Sequence, residues 1–386
     1  MPLRWVHSIV VCLLSLASAQ GQTEQKPQLA PRTQLSEEVF KNIQVLKGIS
    51  VNELMETMGF FAASLSLNCT DCHVSESSGD WARYADDTPL KRATRRMILM
   101  VNNLNQTSFG GRRAVTCYSC HRGTTQPKAI PNLAEQYSTP PPDDPNEIEI
   151  LGSQAAAPSI DPILDKYIQA IGGPDRLAKL ASFIAKGTYQ GYDTDNEKVP
   201  IEIYAKAPGQ RTTIVHLRIG DSVTTCDGRA GWIAAPDKPL PLLALAAKDL
   251  DGLKLDSELA FPARIKESLT RWRAGFPRAD IADREVQIIQ GTAPGGSRVK
   301  LFFEKDSGLL VRVVRYTNTA VGVVPTQTDY SDYRDVSGIK MPFHWTATWT
   351  DGQSTTELTD IEPNVAIDAA KFAQPAPASP PKSAAR

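Results

Sequence analysis

The sequence has almost no net charge, few histidines and cysteines, and no long apolar run beyond its first twenty residues. Lys and Arg number 42 against 43 Asp and Glu, which gives a formal net charge of −1 over 386 residues. Nucleic-acid binding needs an excess of cationic side chains to neutralise phosphates, so this charge balance argues against a nucleic-acid partner. We also expect no transmembrane helix in the mature chain, because no later run is long and apolar enough to span a bilayer.

The first 19 residues are predicted to be a signal peptide. Arg4 supplies a basic start, residues 9–16 are mostly apolar, and Ala17, Ser18 and Ala19 offer small residues for cleavage. The apolar run is about half of the roughly 20 residues that span a bilayer, which favours cleavage over anchoring. We therefore expect a periplasmic protein whose association with the inner membrane depends on its partners.

Cysteine usage points to a cofactor. Of six cysteines, one lies in the predicted signal peptide and four form two C-x-x-C-H motifs, an arrangement unlike a disulfide scaffold. Two thiols one helical turn apart add to the two vinyl groups of a porphyrin, and the adjacent histidine reaches the iron. The motifs therefore predict two covalently bound haem c groups. The attachment and proximal residues are Cys69, Cys72 and His73 in the first motif and Cys117, Cys120 and His121 in the second motif.

A zinc site and a dithiol redox motif are the alternatives to haem. Between the two cysteine pairs lie 44 residues, whereas common four-cysteine zinc sites have roughly 15 to 20. Neither alternative requires a histidine directly after both second cysteines. Haem is therefore the favoured interpretation.

The histidines and methionines outside the two motifs limit the choice of the sixth ligand for each iron. Apart from the two motif histidines, the mature chain has only His216 and His344, which fall in a predicted sheet region beyond a Pro-rich linker. Methionine is the other soft ligand that haem proteins use. Four methionines lie in the haem-bearing region: Met55, Met58, Met97 and Met100.

Met58 lies on the apolar stripe that leads into the first motif, with Met55 as its competitor, and Met97 and Met100 share a stripe before the second. Methionines on helices pack in the hydrophobic core more often than they bind haem iron. An iron bound by one histidine nevertheless needs a ligand on its open face. Met58 and Met97 are the leading candidates. His/Met ligation closes the iron and raises its potential, which suits an electron carrier without a substrate-transforming site.

Apolar periodicity predicts a multidomain chain. Residues 32–122 are expected to form an all-α dihaem c-type cytochrome domain, with one helix from Ser36 to Gly48, one starting at Asn52, and a third capped by Asp87 or Thr88. Residues 123–159 are Pro-rich and polar, which is typical of a linker. Residues 373–386 have the composition of a disordered tail.

Residues 160–372 are expected to form an antiparallel β-rich domain of the α+β class, opened by a helix at Asp161 and interrupted by helix at 240–269. This prediction is based on short runs in which apolar and polar residues alternate, separated by residues typical of turns. The runs are Val199–Lys206, Gln210–Arg218, Val299–Phe303, Leu309–Tyr316 and Phe343–Trp349.

Residues Gln34 to Gly123 resemble the tetrahaem cytochrome c subunit of photosynthetic reaction centres. Residues 65–73 are similar to one haem segment of that family, with Met58 at its ligand position, and residues 93–100, 104–105 and 115–123 are similar to another. The resemblance implies a helix with a Met ligand, a turn and a helix with C-x-x-C-H, and it favours Met97 over Met100. This chain has two motifs where the family has four, and residues 105–115 lack the histidine that serves the family's bis-histidine haem.

The β-rich domain, residues 160–372 and called the sheet unit below, looks loosely like the incomplete barrels of periplasmic lipoprotein-carrier proteins, which hold acyl chains on a concave apolar face. Because fold alone does not give function, the favoured interpretation is that this domain is a docking module that buries its sheet against a partner or the haem domain.

Together these features predict a periplasmic dihaem electron-transfer protein. A quinol-side donor and a reaction-centre-like or other membrane complex as acceptor are the expected partners. Two alternatives stay open: a dihaem peroxidase-like enzyme, and a hydrophobic-ligand or lipid-binding module with an attached cytochrome. Six-coordinate iron separates the first from an electron carrier.

Overall fold

The computed structural model describes residues 32–78, 80–140, 143–150 and 158–379. The predicted signal peptide and the end of the predicted tail, 380–386, lie outside the described residues. The α-helices, numbered in chain order, are α1 Ser36–Val39, α2 Val51–Leu65, α3 Cys69–Cys72, α4 Pro89–Ser108, α5 Cys117–His121, α6 Leu133–Gln136, α7 Asp161–Ala170, α8 Pro174–Leu177, α9 Asp251–Leu259 and α10 Ile265–Ser268.

Single 3₁₀ turns connect several of these elements, and the strands follow α8 in the chain. The 3₁₀ turns are Ser75–Ser78, Trp81–Ala85, Tyr192–Thr194, Ala247–Leu250, Pro262–Arg264 and Ala369–Phe372. The strands are β1 Ser182–Gly191, β2 Val199–Lys206, β3 Gln210–Leu217, β4 Gly220–Asp227, β5 Gly231–Ala234, β6 Leu243–Leu245, β7 Thr270–Arg273, β8 Ala279–Ile281, β9 Arg284–Thr292, β10 Arg298–Glu304, β11 Leu310–Asn318, β12 Val323–Val336, β13 Ile339–Trp349 and β14 Gly352–Pro363.

Helix α1 is much shorter than the sequence suggests. The predicted helix from Ser36 to Gly48 ends at Val39, because Phe40 is extended and Asn42 takes a left-handed conformation at φ 63°. The Ser36 hydroxyl donates to the Leu46 carbonyl at 2.7 Å, and the Glu37 carboxylate accepts from the Gly48 amide at 2.9 Å. Side-chain hydrogen bonds thus fold the segment back on itself, an option that Ser and Glu offer in competition with a helix.

The two longer helices begin at residues with capping side chains. The Ser50 hydroxyl accepts from the Glu53 amide at 2.9 Å, so α2 is capped by Ser50, two residues before the predicted cap Asn52, and begins at Val51. Thr88 caps α4 and Pro89 occupies its first turn, which confirms one of the two predicted caps. In none of the described ranges is a helix both long and apolar enough to cross a bilayer.

The strands pair antiparallel throughout the described sheet, which confirms the antiparallel β-rich prediction for the sheet unit. Their order is β6-β5-β4-β3-β2-β1-β14-β13-β12-β11-β10-β9-β7, with β8 beside β9. The pairing of β1 with β14 joins the two ends of the unit. Helix α7 and the segment from α9 to α10 pack on one face of this sheet and form the largest apolar core with it, through residues such as Leu164, Phe261 and Ile265.

The end of the Pro-rich segment lies against the sheet, held by a buried lysine. Lys300 of β10 is fully buried, and its ammonium group donates to the backbone carbonyls of Asn146 at 2.9 Å and Ile148 at 2.6 Å. The Glu149 carboxylate lies 3.2 Å from the same nitrogen. Burial lowers the pKa of Lys300, and these three acceptors compensate the charge.

The helical segment and the sheet share an apolar cluster. Phe60 and Phe61 of α2 pack in one cluster with Val321 and Val324, which lie where β11 turns into β12. Arg113 donates to the backbone carbonyls of Thr319, Ala320 and Gly322 in the same turn. The β11–β12 turn is therefore fixed against both α2 and the segment before the second motif.

Polar contacts extend this attachment along α2. The Ser50 hydroxyl donates to the Asp249 carboxylate at 2.5 Å, and Lys248 pairs with Glu53 at 2.7 Å. Lys248 also donates to the Asn318 carbonyl at 2.7 Å. The start of α2 is thus held by the segment before α9 and its middle by the β11–β12 turn.

Candidate haem-attachment sites

Each C-x-x-C-H motif lies on a short helix that its own residues cap. At the first motif, the Asn68 side chain accepts from the Asp71 amide at 3.1 Å and Asp71 accepts from the Asn68 amide at 2.8 Å. At the second motif, Thr116 and Ser119 exchange the equivalent bonds at 3.4 Å and 3.1 Å. These capping boxes fix one helical turn, so the two cysteines of each motif lie one turn apart on the same helix.

In each motif histidine, one ring nitrogen lies within hydrogen-bond distance of a backbone carbonyl oxygen. The Nδ1 atom of His73 lies 3.2 Å from the Tyr84 carbonyl, and that of His121 lies 2.9 Å from the Thr124 carbonyl. A carbonyl can only accept, so Nδ1 is the donor in each contact, and in a neutral ring the lone pair then lies on Nε2. Burial lowers the pKa of His73, which also favours the neutral ring. This is the form in which imidazole binds a metal.

The first motif opens onto a cavity of about 450 Å³, called here the first cavity. Cys69, Cys72 and His73 line it together with both methionine candidates of this site, Met55 and Met58. Apolar side chains from α2 and the segment after α1 make up much of the remaining wall. Such a wall suits a large apolar macrocycle, so the residues present fit a haem here.

Aromatic side chains close one side of the first cavity. Trp81 and Tyr84 stack with ring centroids 4.8 Å apart, and Tyr84 also lies 4.7 Å from the His73 ring. Both aromatic residues line the cavity. Tyr84 thus holds the His73 ring through its carbonyl and its own ring.

The sheet unit contributes to the first cavity. Asp351, in the turn between β13 and β14, lines it together with Pro239. The same turn packs closely against α2 at Gly59, since a Cβ added to this glycine would lie 2.7 Å from the Thr350 hydroxyl oxygen. Burial raises the pKa of Asp351. Sequence reasoning confined this site to residues 32–122 and missed Asp351, because no local signal links a turn residue to a motif so far away.

The second motif lies on an open apolar surface. Met97 and Met100 of α4 are 39% and 51% exposed, and Leu104 and Tyr118 are also exposed. In the same helix Ile98 and Val101 are buried against the rest of the protein. Exposed apolar side chains beside two cysteines and a histidine are a surface that a porphyrin would cover, so the residues fit a haem at this site too.

Asn105 fixes the second motif to α4. It is buried, and its side chain donates to the Val115 carbonyl at 2.7 Å and accepts from the amides of Ala114 and Val115 at 3.0 Å. The motif begins just after these residues. Sequence reasoning missed Asn105, although a buried amide that serves both backbone donors and an acceptor is a common way to hold an irregular segment.

Replacing Asn105 by alanine is expected to lower the free energy of unfolding by about 2–3 kcal/mol, because the Val115 carbonyl and the amides of Ala114 and Val115 all lose the buried side chain that they bond. Urea denaturation measures this change. Asn102 is exposed on the same helix, so Asn102→Ala is the matched control, with an expected change below about 0.5 kcal/mol. Equal losses in the two variants would show that Asn105 does not hold the motif.

The cysteine environment bears on the other interpretations of the motifs. Burial raises the pKa of the Cys69, Cys72 and Cys117 thiols, whereas dithiol redox motifs depend on a lowered thiol pKa. Among the described residues no three His, Cys, Asp or Glu side chains are grouped closely enough to hold a metal ion. The two cysteine pairs are therefore not brought together. His216 and His344 lie on β3 and β13.

A second cavity, of about 180 Å³, lies within the sheet unit. Its lining includes Phe183, Tyr330 and Trp345, and its charged members are Arg211, Asp256 and Lys340. It is smaller than the roughly 300–1,000 Å³ of typical ligand pockets.

Comparison with known proteins gives two kinds of likeness. Residues 11–157 match the family model described as photosynthetic reaction centre cytochrome C subunit. The corresponding subunit of Thermochromatium tepidum is 40% identical over 95 residues, which are 24% of this chain and 22% of that protein. That of Rubrivivax gelatinosus is 33% identical over 119 residues, 29% of this chain and 31% of that protein. The N-terminal resemblance is thus confirmed, and the match spans less than a third of either relative.

Solved structures resemble the rest of the chain. A LolA superfamily protein from Nitrosomonas europaea has a TM-score of 0.40 at 12% identity and covers 56% of this chain and 98% of its own. A putative outer membrane lipoprotein-sorting protein domain from Vibrio parahaemolyticus has a TM-score of 0.38 at 10% identity, with 55% and 94% covered. These likenesses describe architecture alone.

Proposed function

We propose that this chain is a dihaem c-type cytochrome that carries electrons in the periplasm. Two haem c groups are attached, one through Cys69 and Cys72 and the other through Cys117 and Cys120. His73 and Met58 would hold one iron as its axial ligands, and His121 and Met97 would hold the other. The observation that carries the proposal is the pair of capped motif helices, each with a histidine whose Nδ1 donates to a backbone carbonyl and whose Nε2 bonds none of the described residues.

Haem c supplies a one-electron iron couple, and the protein residues set the conditions for it. The apolar wall of the first cavity limits the access of water, which favours a high reduction potential. The Tyr84 and Thr124 carbonyls orient the two histidines and make them more basic. Met58 and Met97 would each supply a thioether ligand to the iron, which would close its coordination and favour outer-sphere electron transfer over oxygen or peroxide chemistry.

The relatives support this proposal by name, since both are cytochrome c subunits of photosynthetic reaction centres. A reaction-centre-like or other membrane complex is accordingly the proposed acceptor, and a quinol-side protein the proposed donor. Residues 160–372 are proposed to act as a docking and supporting module, because their turns contact α2 and line the first cavity.

The test is the haem content of the mature protein, made in a host with haem-ligation machinery. Mass spectrometry is expected to show two haem additions, since each motif supplies two thiols. Cys69→Ala/Cys72→Ala and Cys117→Ala/Cys120→Ala are each expected to carry one haem fewer, and Cys226→Ala, at a buried cysteine outside the motifs, is the control with two. A mature chain without haem would contradict the proposal.

A further inference from the structure

Charge is segregated between the two motif regions. Residues 36–87, which contain the first motif, hold nine carboxylates and three Lys or Arg. Residues 88–134, which contain the second motif, hold eight Lys or Arg and no carboxylate. In a chain with a formal charge of −1, the region around the second motif is thus strongly cationic.

Half of these cations are engaged within the protein. Lys91 donates to two backbone carbonyls, Arg95 pairs with Asp87 at 2.7 Å, and Lys128 pairs with Glu135 at 2.8 Å. Arg113 holds the β11–β12 turn, as described above. The other four cations are exposed and make no ion pair with any described residue: Arg92, Arg96, Arg112 and Arg122.

The free arginines outnumber the anions of a bound cofactor. A haem carries two propionates, so its binding would neutralise at most two of the four guanidinium groups. A net cationic rim therefore remains at the second motif when the cofactor is bound. Guanidinium groups pair well with carboxylates on a partner, because their planar donors match the geometry of a carboxylate.

These arginines border the apolar surface of the second motif. Arg92, Arg96, Met100 and Leu104 recur every four residues and so follow one row along α4. The Asn105 hydrogen bonds bring the chain after α4 back beside it, and Arg122 follows the second motif directly. An apolar centre with a charged rim is the usual anatomy of a protein interface.

We propose that this face, comprising the second motif and its four free arginines, docks a redox protein with an acidic surface. The inference rests on the proposed function and adds the chemistry of the partner. In the first-motif region Asp71, Glu76 and Asp80 are exposed and make no ion pair with any described residue, so they repel the same partner and turn the second motif toward it. Electrons therefore enter or leave at the second motif.

The test compares two double variants of the full-length mature protein after its haem content is determined. Arg92→Gln/Arg96→Gln removes two charges from the proposed face. Arg218→Gln/Arg229→Gln removes the same charge from exposed positions of the sheet unit. Stopped-flow absorbance then follows electron transfer with reduced flavodoxin, an acidic redox protein, over a range of ionic strength, and potentiometry checks that the midpoint potentials are unchanged.

We expect the flavodoxin rate constant of the unaltered protein to fall steeply as salt rises. At low salt the α4 variant should be slower by about tenfold and less salt-dependent, whereas the sheet variant should stay within about twofold. Retention on immobilised flavodoxin should follow the same order, and this measurement needs no haem.

Three results would overturn the docking surface. The first is an equal effect of the two double variants, and the second is a rate that rises with salt. The third is binding of anionic phospholipid vesicles that depends on Arg92 and Arg96 while flavodoxin rates stay unchanged, since the face would then meet a membrane. A chain without haem contradicts the proposed function instead, and column retention still decides the surface.

Discussion

Replacing Met58 by leucine is expected to lower the midpoint potential of one haem by on the order of 0.1–0.2 V and to leave the other unchanged. Leucine keeps the volume of methionine but has no thioether, so the packing of the first cavity survives while the iron loses its axial sulfur. A thioether stabilises ferrous iron, and its loss therefore favours the ferric state. Redox titration followed by absorbance measures the shift.

Met55→Leu is the matched control, because Met55 lines the same cavity on the same helix. It is expected to leave both potentials within experimental error. The thioether absorption band of the ferric protein should weaken only in Met58→Leu, and that variant alone should bind azide at the first site. A shift in Met55→Leu in place of Met58→Leu would reassign the ligand.

The same pair of measurements decides the second site. Met97→Leu is expected to lower the potential of the other haem, with Met100→Leu as its control on the exposed face of α4. A larger shift in Met100→Leu would reverse the assignment that the family resemblance favours.

Replacing Lys300 by methionine is expected to lower the free energy of unfolding by about 3 kcal/mol. The Asn146 and Ile148 carbonyls and the Glu149 carboxylate would lose the ammonium group that they share. Methionine fills most of the space but donates no hydrogen bond. Urea denaturation measures the loss, and limited proteolysis should show faster cleavage within 143–150.

Lys305→Met is the control for this prediction, because Lys305 lies just beyond β10 and pairs with Glu285 while half-exposed. Exposed ion pairs contribute little, so its expected change is below about 1 kcal/mol. Unchanged or higher stability in Lys300→Met would mean that apolar packing replaces the buried ammonium group without loss, as happens at some buried ion pairs.

The features that were predictable from the sequence depend on neighbours in the chain. Thr88 and Pro89 mark the start of α4 because a cap and a first-turn proline act within four residues, and β2 runs from Val199 to Lys206 as its alternation predicts. The two motifs belong to the same class, since each is a capped turn. Local signals of this kind need no knowledge of the fold.

Features that escaped prediction depend on distant partners. Residues 40–48 have a helical spacing of apolar side chains, yet hydrogen bonds of Ser36 and Glu37 fold them back. Lys300 alternates with apolar residues like any strand lysine, and only the Pro-rich segment across it explains its burial. Asp351 joins the first cavity because β13 and β14 place their turn there. Such contacts exist only once the sheet is assembled.

The β13–β14 turn, in which Thr350 and Asp351 lie against Gly59 of α2, also has a consequence for the order in which the first cavity forms. A chain is synthesised from its N terminus, so α2 and both motifs are complete well before the last two strands exist. The part of the first-cavity wall that Asp351 supplies can therefore form only after Cys69 and Cys72 have been synthesised.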